Sequence, residues 1–312
     1  MEVYLDIENF SSAVSKKPLV TLGTFDGVHL GHQVIIKRLV KKARESGRKS
    51  LLVTYEPHPQ SVVAPESAPK ILTTLEEKLY FLRKLNVDQV VVIHFKKNLA
   101  QYQARQFVEE ILVGKLNVDD LIIGYDHAFG KNREGRVKFL NEAKKDYGFG
   151  LEIISPVKNT DLPIKSSRIR EELRSGEFSK VIKMLGHSYP IWGTKIPGQG
   201  RGGALGYPTI NLKVGERKLL PPDGVYAASA RIGDKTWTGM MYKGKKPTFE
   251  GKSLSLEIHL FDFDQSQKTE KICLFVEEWI RKDMKFESNE DLKNQLKEDE
   301  KTAKNYFFKK GG

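Results

Sequence analysis

At 312 residues the chain is long enough for two cored domains, because a single hydrophobic core stops growing at about 250–300 residues. Its formal charge of +12 asks for an anionic partner: nucleic acid, an acidic membrane surface or a polyphosphate ligand. The single cysteine, Cys273, excludes an internal disulfide and a multi-cysteine metal site, and in the apolar run Ile272–Val276 it reads as a buried, inert thiol. The opening MEVYLDIENF lacks a basic region followed by an apolar one, so it does not read as a secretory signal. Nor is there an apolar run of the roughly 18 residues needed to span a bilayer. The expectation is a cytoplasmic chain with no membrane partner.

From Pro18 to about Ser155, short apolar runs alternate with amphipathic stretches. Strands are predicted at Leu19–Gly23, Ser50–Tyr55, Gln89–His94, Leu121–Gly124 and Leu151–Ser155. Their nearly continuous apolar character suits strands covered on both faces. Between them His32–Ser46 reads as a helix with Val34, Ile35, Leu39, Val40 and Ala43 on one face. Thr74 to Glu77 has the spacing of a capping box and opens a helix carrying Leu75, Leu79, Leu82 and Leu85. Helices also follow at Gln103–Leu112 and Val137–Tyr147. This alternation predicts an α/β, doubly wound parallel sheet.

Ser167–Leu185 reads as helical, interrupted at Ser175–Gly176, and the pattern changes near Gly186. Beyond it Val225–Ile232, Trp237–Tyr242, Leu254–Phe261 and Lys271–Glu277 predict an all-β unit, a small barrel. Asn289–Phe308 predicts a C-terminal helix with Leu292, Leu296 and Phe307 facing inward. The expected domains are residues 1–186 and 187–312.

Ligands of open α/β sheets bind outside the carboxyl ends of the strands. Four polar loops fall there: Gly23–His32, Glu56–Pro59, Gly124–Gly130, and Lys165–Arg170 opening a helix. In the first, Gly27 and Gly31 permit close backbone approach, and a helix N-terminus points N–H groups at the same place. His29 and His32 stand three apart across this turn, suited to donating hydrogen bonds to a phosphate as charge builds on it. A zinc pair is the other reading, although no third ligand stands nearby in sequence. Ser166 and Ser167 read as helix caps. With Lys165, Arg168 and Arg170 they also outline a polyphosphate site, Arg170 being the preferred phosphate ligand.

These residues resemble the HxGH nucleotidyltransferases, and more narrowly the bacterial bifunctional riboflavin kinase/FMN adenylyltransferases, over nearly the whole chain. The family's G-x-F-D-G-x-H-x-G-H loop is met in full by Gly23, Phe25, Asp26, Gly27, His29, Gly31 and His32. Its P-H-P turn is met by Pro57-His58-Pro59, and its G-x-D-x-x-F-G loop by Gly124, Asp126, Phe129 and Gly130. Its S-S-T-x-I-R element appears as Lys165-Ser166-Ser167-Arg168-Ile169-Arg170, where lysine replaces the first serine and serine the threonine, both changes keeping the helix cap. The resemblance implies a Rossmann-like domain that moves AMP from ATP to FMN, giving FAD and pyrophosphate. It implies that His29 and His32 stabilise the α-phosphoryl charge, and that Ser167 and Arg170 hold the leaving phosphates.

The second half is similar to the riboflavin kinase barrel. Gly206, Pro208, Thr209 and Asn211 match G-F-P-T-x-N, and Glu257 and His259 match V-E-x-H. The resemblance implies Thr209 and Asn211 on Mg²⁺ with ATP, and Glu257 as the base for the ribityl 5′-hydroxyl. A solvent-facing strand carboxylate is the other reading of Glu257. Asp223, Pro247-Thr248-Phe249, Arg281, Phe286 and Leu292 are also in place. Departures are Gly202-Gly203 for a G-R pair, Tyr242-Lys243-Gly244 for N-I-G, and the absence of L-Y-G between Gln265 and Lys271. Flavin is thus expected as substrate and product, with ATP, riboflavin, FMN and FAD as the small-molecule partners. The alternative is an FMN adenylyltransferase whose kinase half only binds flavin. An RNA-binding reading, suggested by charge and Gly200-Arg201-Gly202-Gly203, lacks an aromatic-interleaved basic run, so no nucleic-acid partner is expected.

Overall fold

A computed structural model describes residues 1–11, 17–198, 201–248, 251–264 and 270–311. Gly200, Phe249 and 265–269, which bear on three of the motifs above, lie outside the described residues. The chain divides between Ser166 and Ser167 into two compact units.

The first unit is built on a six-stranded parallel sheet. Its elements in chain order are β1 (Glu2–Tyr4), β2 (Leu19–Leu22), α1 (Leu30–Glu45), β3 (Ser50–Glu56), α2 (Pro59–Val63), α3 (Leu75–Lys84) and β4 (Gln89–His94). There follow α4 (Ala104–Gln106), which runs into a π-helix (Phe107–Lys115), then β5 (Asp120–Gly124) and a small hairpin of β6 (Ala128–Phe129) and β7 (Gly135–Arg136). The unit closes with α5 (Val137–Tyr147), β8 (Gly150–Ile154) and a second hairpin, β9 (Lys158–Asn159) with β10 (Leu162–Pro163). Strand order is β1-β4-β3-β2-β5-β8. Leu19, Val20, Leu51, Leu52, Val53, Val90 and Val91 are all sealed from solvent, so both sheet faces are covered, as their unbroken apolar runs require. The chain moves from β2 outward through β3 to β4, then returns to place β5 on the opposite side of β2. That reversal puts a switch point, and its crevice, between the carboxyl ends of β2 and β5.

Two helices differ in detail from expectation. The first starts at Leu30 rather than His32, and it buries Ile36, Leu39, Val40 and Ala43 while Val34 is left exposed. The capping box of α3 forms as predicted, each of Thr74 and Glu77 accepting from the other's backbone N–H, but the face it buries is Glu77, Lys78, Phe81 and Leu82. A row of leucines set the expected face; packing beneath the first loop sets the real one.

The second unit holds α6 (Ser166–Ser175, of which Ser166 belongs to the first unit), α7 (Phe178–Leu185), β11 (Tyr189–Ile196), α8 (Arg201–Ala204), β12 (Ile210–Lys213), β13 (Gly224–Ile232), β14 (Lys235–Thr248), β15 (Gly251–Leu260), β16 (Lys271–Lys282) and α9 (Asn289–Gly311). The six strands close into an antiparallel barrel in the order β11-β12-β15-β14-β13-β16. Closure leaves no sheet edge to cap. Phe178 of α7 meets Tyr189 and Tyr226 edge-on at 6.5 and 5.4 Å. The last helix lays Ala303, Leu296, Tyr306 and Phe307 over Val225, Ala227 and Met240. It is fixed there by Arg281, whose guanidinium grips the buried Asp299 through bonds of 2.8 to 3.0 Å. Cys273 is half-buried on β16, not fully buried, because it falls between the inward-facing Ile272 and Leu274.

Candidate active sites

The loop after β2 is held in a bent conformation by its own carboxylate. Asp26 is buried and accepts from the Leu72 and Thr73 amides at 2.9 Å and from the Thr73 hydroxyl at 3.3 Å. The Gly27 amide donates to the same hydroxyl at 2.9 Å. The Ser166 hydroxyl donates to the Asp26 carbonyl at 2.8 Å. These ties keep Phe25 and Val28 in left-handed backbone (φ 46° and 39°) on either side of Gly27 (φ 85°). Such residues cost about 1–3 kcal/mol each unless the surroundings impose the geometry. Replacing Asp26 by alanine strands three buried donors, so unfolding of the first unit in urea should ease by about 3 kcal/mol. A change under about 1 kcal/mol would mean that the carboxylate is not the clasp.

The clasp delivers the histidines. His29 is the N-cap of α1, its Nδ1 accepting from the His32 amide at 3.3 Å. Capping through Nδ1 leaves the ring proton of neutral His29 on Nε2. The two imidazoles stack at 3.6 Å between centroids and 17° between planes, and Phe25 meets His32 edge-on at 5.2 Å. His32 Nδ1 is closed off from solvent and has no hydrogen-bond partner among the described residues. Burial, then the neighbouring His29 and Lys78, holds His32 well below the usual histidine pKa, so it is neutral at pH 7. A Cβ on Gly31 would stand 3.1–3.2 Å from the His29 ring, which explains the glycine there.

His29, Gly31 and His32 line a cavity of about 150 Å³ together with Gly124, Asp126, Lys165 and Ser166. Lys165 pairs with Asp126 at 3.3 Å and lies over the Tyr125 ring. The structure thus brings three of the four expected loops together within the first unit. Gly23 and Phe25 sit behind the histidines rather than in the cavity wall. Pro57 is not in that wall, and its neighbour His58 caps α2. Phe129 is buried against Phe107 at 5.0 Å, so its place is in the core beneath the loop. Both serines fall inside the first turn of α6 and not before it, since the helix begins at Ser166. Ser167 and the buried Arg170 belong to the second unit. Sequence reading missed Lys78, which lies 4% exposed near this site.

In the barrel, Asn211, Glu257 and Tyr242 stand in one register row across β12, β15 and β14. Glu257 accepts from the Thr209 hydroxyl at 2.8 Å through one oxygen and from the Ser255 hydroxyl at 2.9 Å through the other. Gly206 turns the chain with φ 85°, and the Pro208 carbonyl meets His259 Nδ1 at 2.9 Å. Tyr242, where the resembled family has asparagine, donates to Asp283 at 3.2 Å, and burial followed by Asp283 pushes its hydroxyl up to about 12. Lys243 pairs with Asp223. A side chain at Gly202 would strike the Tyr207 carbonyl, whereas Gly203 faces open space.

The two halves match two family models, FAD synthetase over residues 11–168 and riboflavin kinase over residues 185–307. The chain belongs to the bifunctional riboflavin kinase/FMN adenylyltransferase family. It is 36% identical to the bifunctional riboflavin kinase/FMN adenylyltransferase of Haemophilus influenzae, covering 92% of this chain and 94% of that protein. The Bacillus subtilis protein of the same name is 33% identical, with 93% of each covered. Among solved structures, a macrolide-efflux protein from Streptococcus pneumoniae superposes with a TM-score of 0.83 at 27% identity, over 97% of this chain and 98% of that one. That name is the other protein's; among the described residues here no helix is long and apolar enough to cross a membrane.

Proposed function

We propose that each half of this bifunctional FAD-forming enzyme carries one of its two reactions, and that the stacked histidine pair at the β2–β5 switch point is the adenylyl-transfer centre. The observation that carries this reading is the conjunction of a helix N-terminus, two imidazoles and Lys165 around one cavity. An FMN phosphate oxygen attacks the α-phosphorus of ATP, the α–β bridge breaks, and pyrophosphate leaves. Such chemistry needs in-line alignment and charge neutralisation more than covalent help. His29 and His32 donate to the α-phosphoryl oxygens; Gly124, Asp126 and Ser166 shape the subsite from the cavity wall, and Gly23, Phe25, Asp26, Pro57 and Phe129 support the loops around it.

In the barrel, Glu257 removes the proton of the ribityl 5′-hydroxyl as that oxygen attacks the γ-phosphorus and ADP departs. Thr209 and Asn211 suit Mg²⁺, a hard cation that takes few protein oxygens and the rest from phosphate. Thr209 gives its proton to Glu257 and keeps its lone pairs for the ion. When bound, the ion supplies charge neutralisation at the β- and γ-phosphates. Gly206 and Pro208 hold this loop. We place the functional boundary at Gly186 and the enzyme in the cytoplasm.

The second reading, an adenylyltransferase with an impaired kinase, is favoured by Tyr242 beside Glu257 and by the open Gly203. ATP labelled at the α-phosphate tests the first centre. Label is expected in FAD and none in pyrophosphate; label in free AMP without FAD would refute the assignment.

A further inference from the structure

Lys78 projects from α3 and is buried beneath the loop that carries the histidines. Its Nζ donates at 2.9 Å to the Thr54 hydroxyl, and that hydroxyl donates at 3.2 Å to the Thr24 carbonyl, within the Gly23–His29 segment. An ammonium has three donors, and here the acceptor is neutral. Buried charge is costly unless it is paired. Burial draws its pKa below the usual lysine value, while the charges of Asp26 on the loop and Glu56 at the end of β3 oppose the drop. On the side of the site its charge bears on His32. A buried cation thus stands behind a site that must receive a triphosphate.

We propose that Lys78 is a positioning residue for adenylyl transfer: it braces the catalytic loop through Thr54, and its buried positive charge beside the histidines helps to receive the polyphosphate of the substrate. The inference rests on the adenylyl-transfer reading given above. It also explains the state of the histidines. His29 caps α1 through a bare Nδ1, and its ring stacks on His32 at 3.6 Å, an arrangement that a charged pair would not keep. The groups facing His32 are His29 from the loop and Lys78 from α3, with Asp126 and Lys165 in the cavity wall. Burial and His29 keep His32 uncharged in the free enzyme, and Lys78 adds to them. Bound phosphate, bringing negative charge, favours its protonation.

The test is the ring titration of His32 by NMR in the full chain, with FAD formation from FMN measured across pH. In the wild type His32 should titrate well below an ordinary histidine and rise when magnesium pyrophosphate is added. In K78M it should titrate about one pH unit higher, since a like charge has been removed. The acid limb of kcat/KM should move the same way, and kcat should fall by roughly 10- to 100-fold. K78R should restore the pH profile. T54V, which removes the neutral acceptor but keeps the ammonium, should leave the titration of His32 in place. An ordinary wild-type titration near 6.5, no response to pyrophosphate, or an unmoved His32 in K78M would overturn the proposal. If wild-type protein made no FAD while His32 still moved in K78M, the coupling would stand and the adenylyl-transfer reading would fall.

Discussion

Replacing His32 with alanine is expected to cut FAD formation from FMN by about 10²- to 10³-fold, the usual cost of losing one preorganised donor to a developing phosphoryl charge. The effect should appear mainly in kcat, because the charge that His32 meets is greatest in the transition state. His32 also supports its neighbour, since the His29 ring lies flat on it. The double variant with His29 should therefore lose less than the product of the two single losses. Riboflavin phosphorylation should stay within about twofold, since the six barrel strands close on one another. A loss of less than about tenfold would remove His32 from the chemistry.

The second large effect is expected in the barrel. E257Q keeps the volume and one oxygen able to accept from Thr209, but it cannot take a proton. Phosphorylation of riboflavin should fall by about 10²- to 10⁴-fold, the range for removing a general base. FAD formation from supplied FMN should not change. The glutamine substitution is more informative than alanine here, because alanine would also release Thr209 and Ser255, both bonded to the carboxylate. If E257Q phosphorylated riboflavin at the wild-type rate, Glu257 would be a structural carboxylate with two hydroxyl partners and no more.

The residues made much of this legible in advance. The parallel strands were readable because double-sided burial leaves unbroken apolar runs, as in Leu51, Leu52 and Val53. β1 escaped because it is three residues long and pairs only with β4 at the sheet edge. β11 escaped because Pro190 and Gly193 interrupt its pattern, although Gly193 is required where the Lys213 carbonyl passes close by. The wide turns of Phe107–Lys115 give no periodic signal distinct from an ordinary helix. At the site, the histidine loop announced itself by composition. Asp26 also belonged to the motif, but its work as a clasp on Leu72 and Thr73 could be seen only once chain segments 46 residues apart were brought together. Lys78 was invisible for a related reason: a lysine between Glu77 and Leu79 reads as solvated until the helix is laid under the loop.

Two independent centres in one chain are best tested by separating the products formed from riboflavin, ATP and Mg²⁺ by wild-type, H32A and E257Q proteins in parallel. FMN and then FAD are expected from the wild type, FMN that accumulates without FAD from H32A, and neither from E257Q, which still makes FAD when given FMN. A single substitution that stopped both reactions, or a wild-type protein that made FAD from FMN but never from riboflavin, would contradict it.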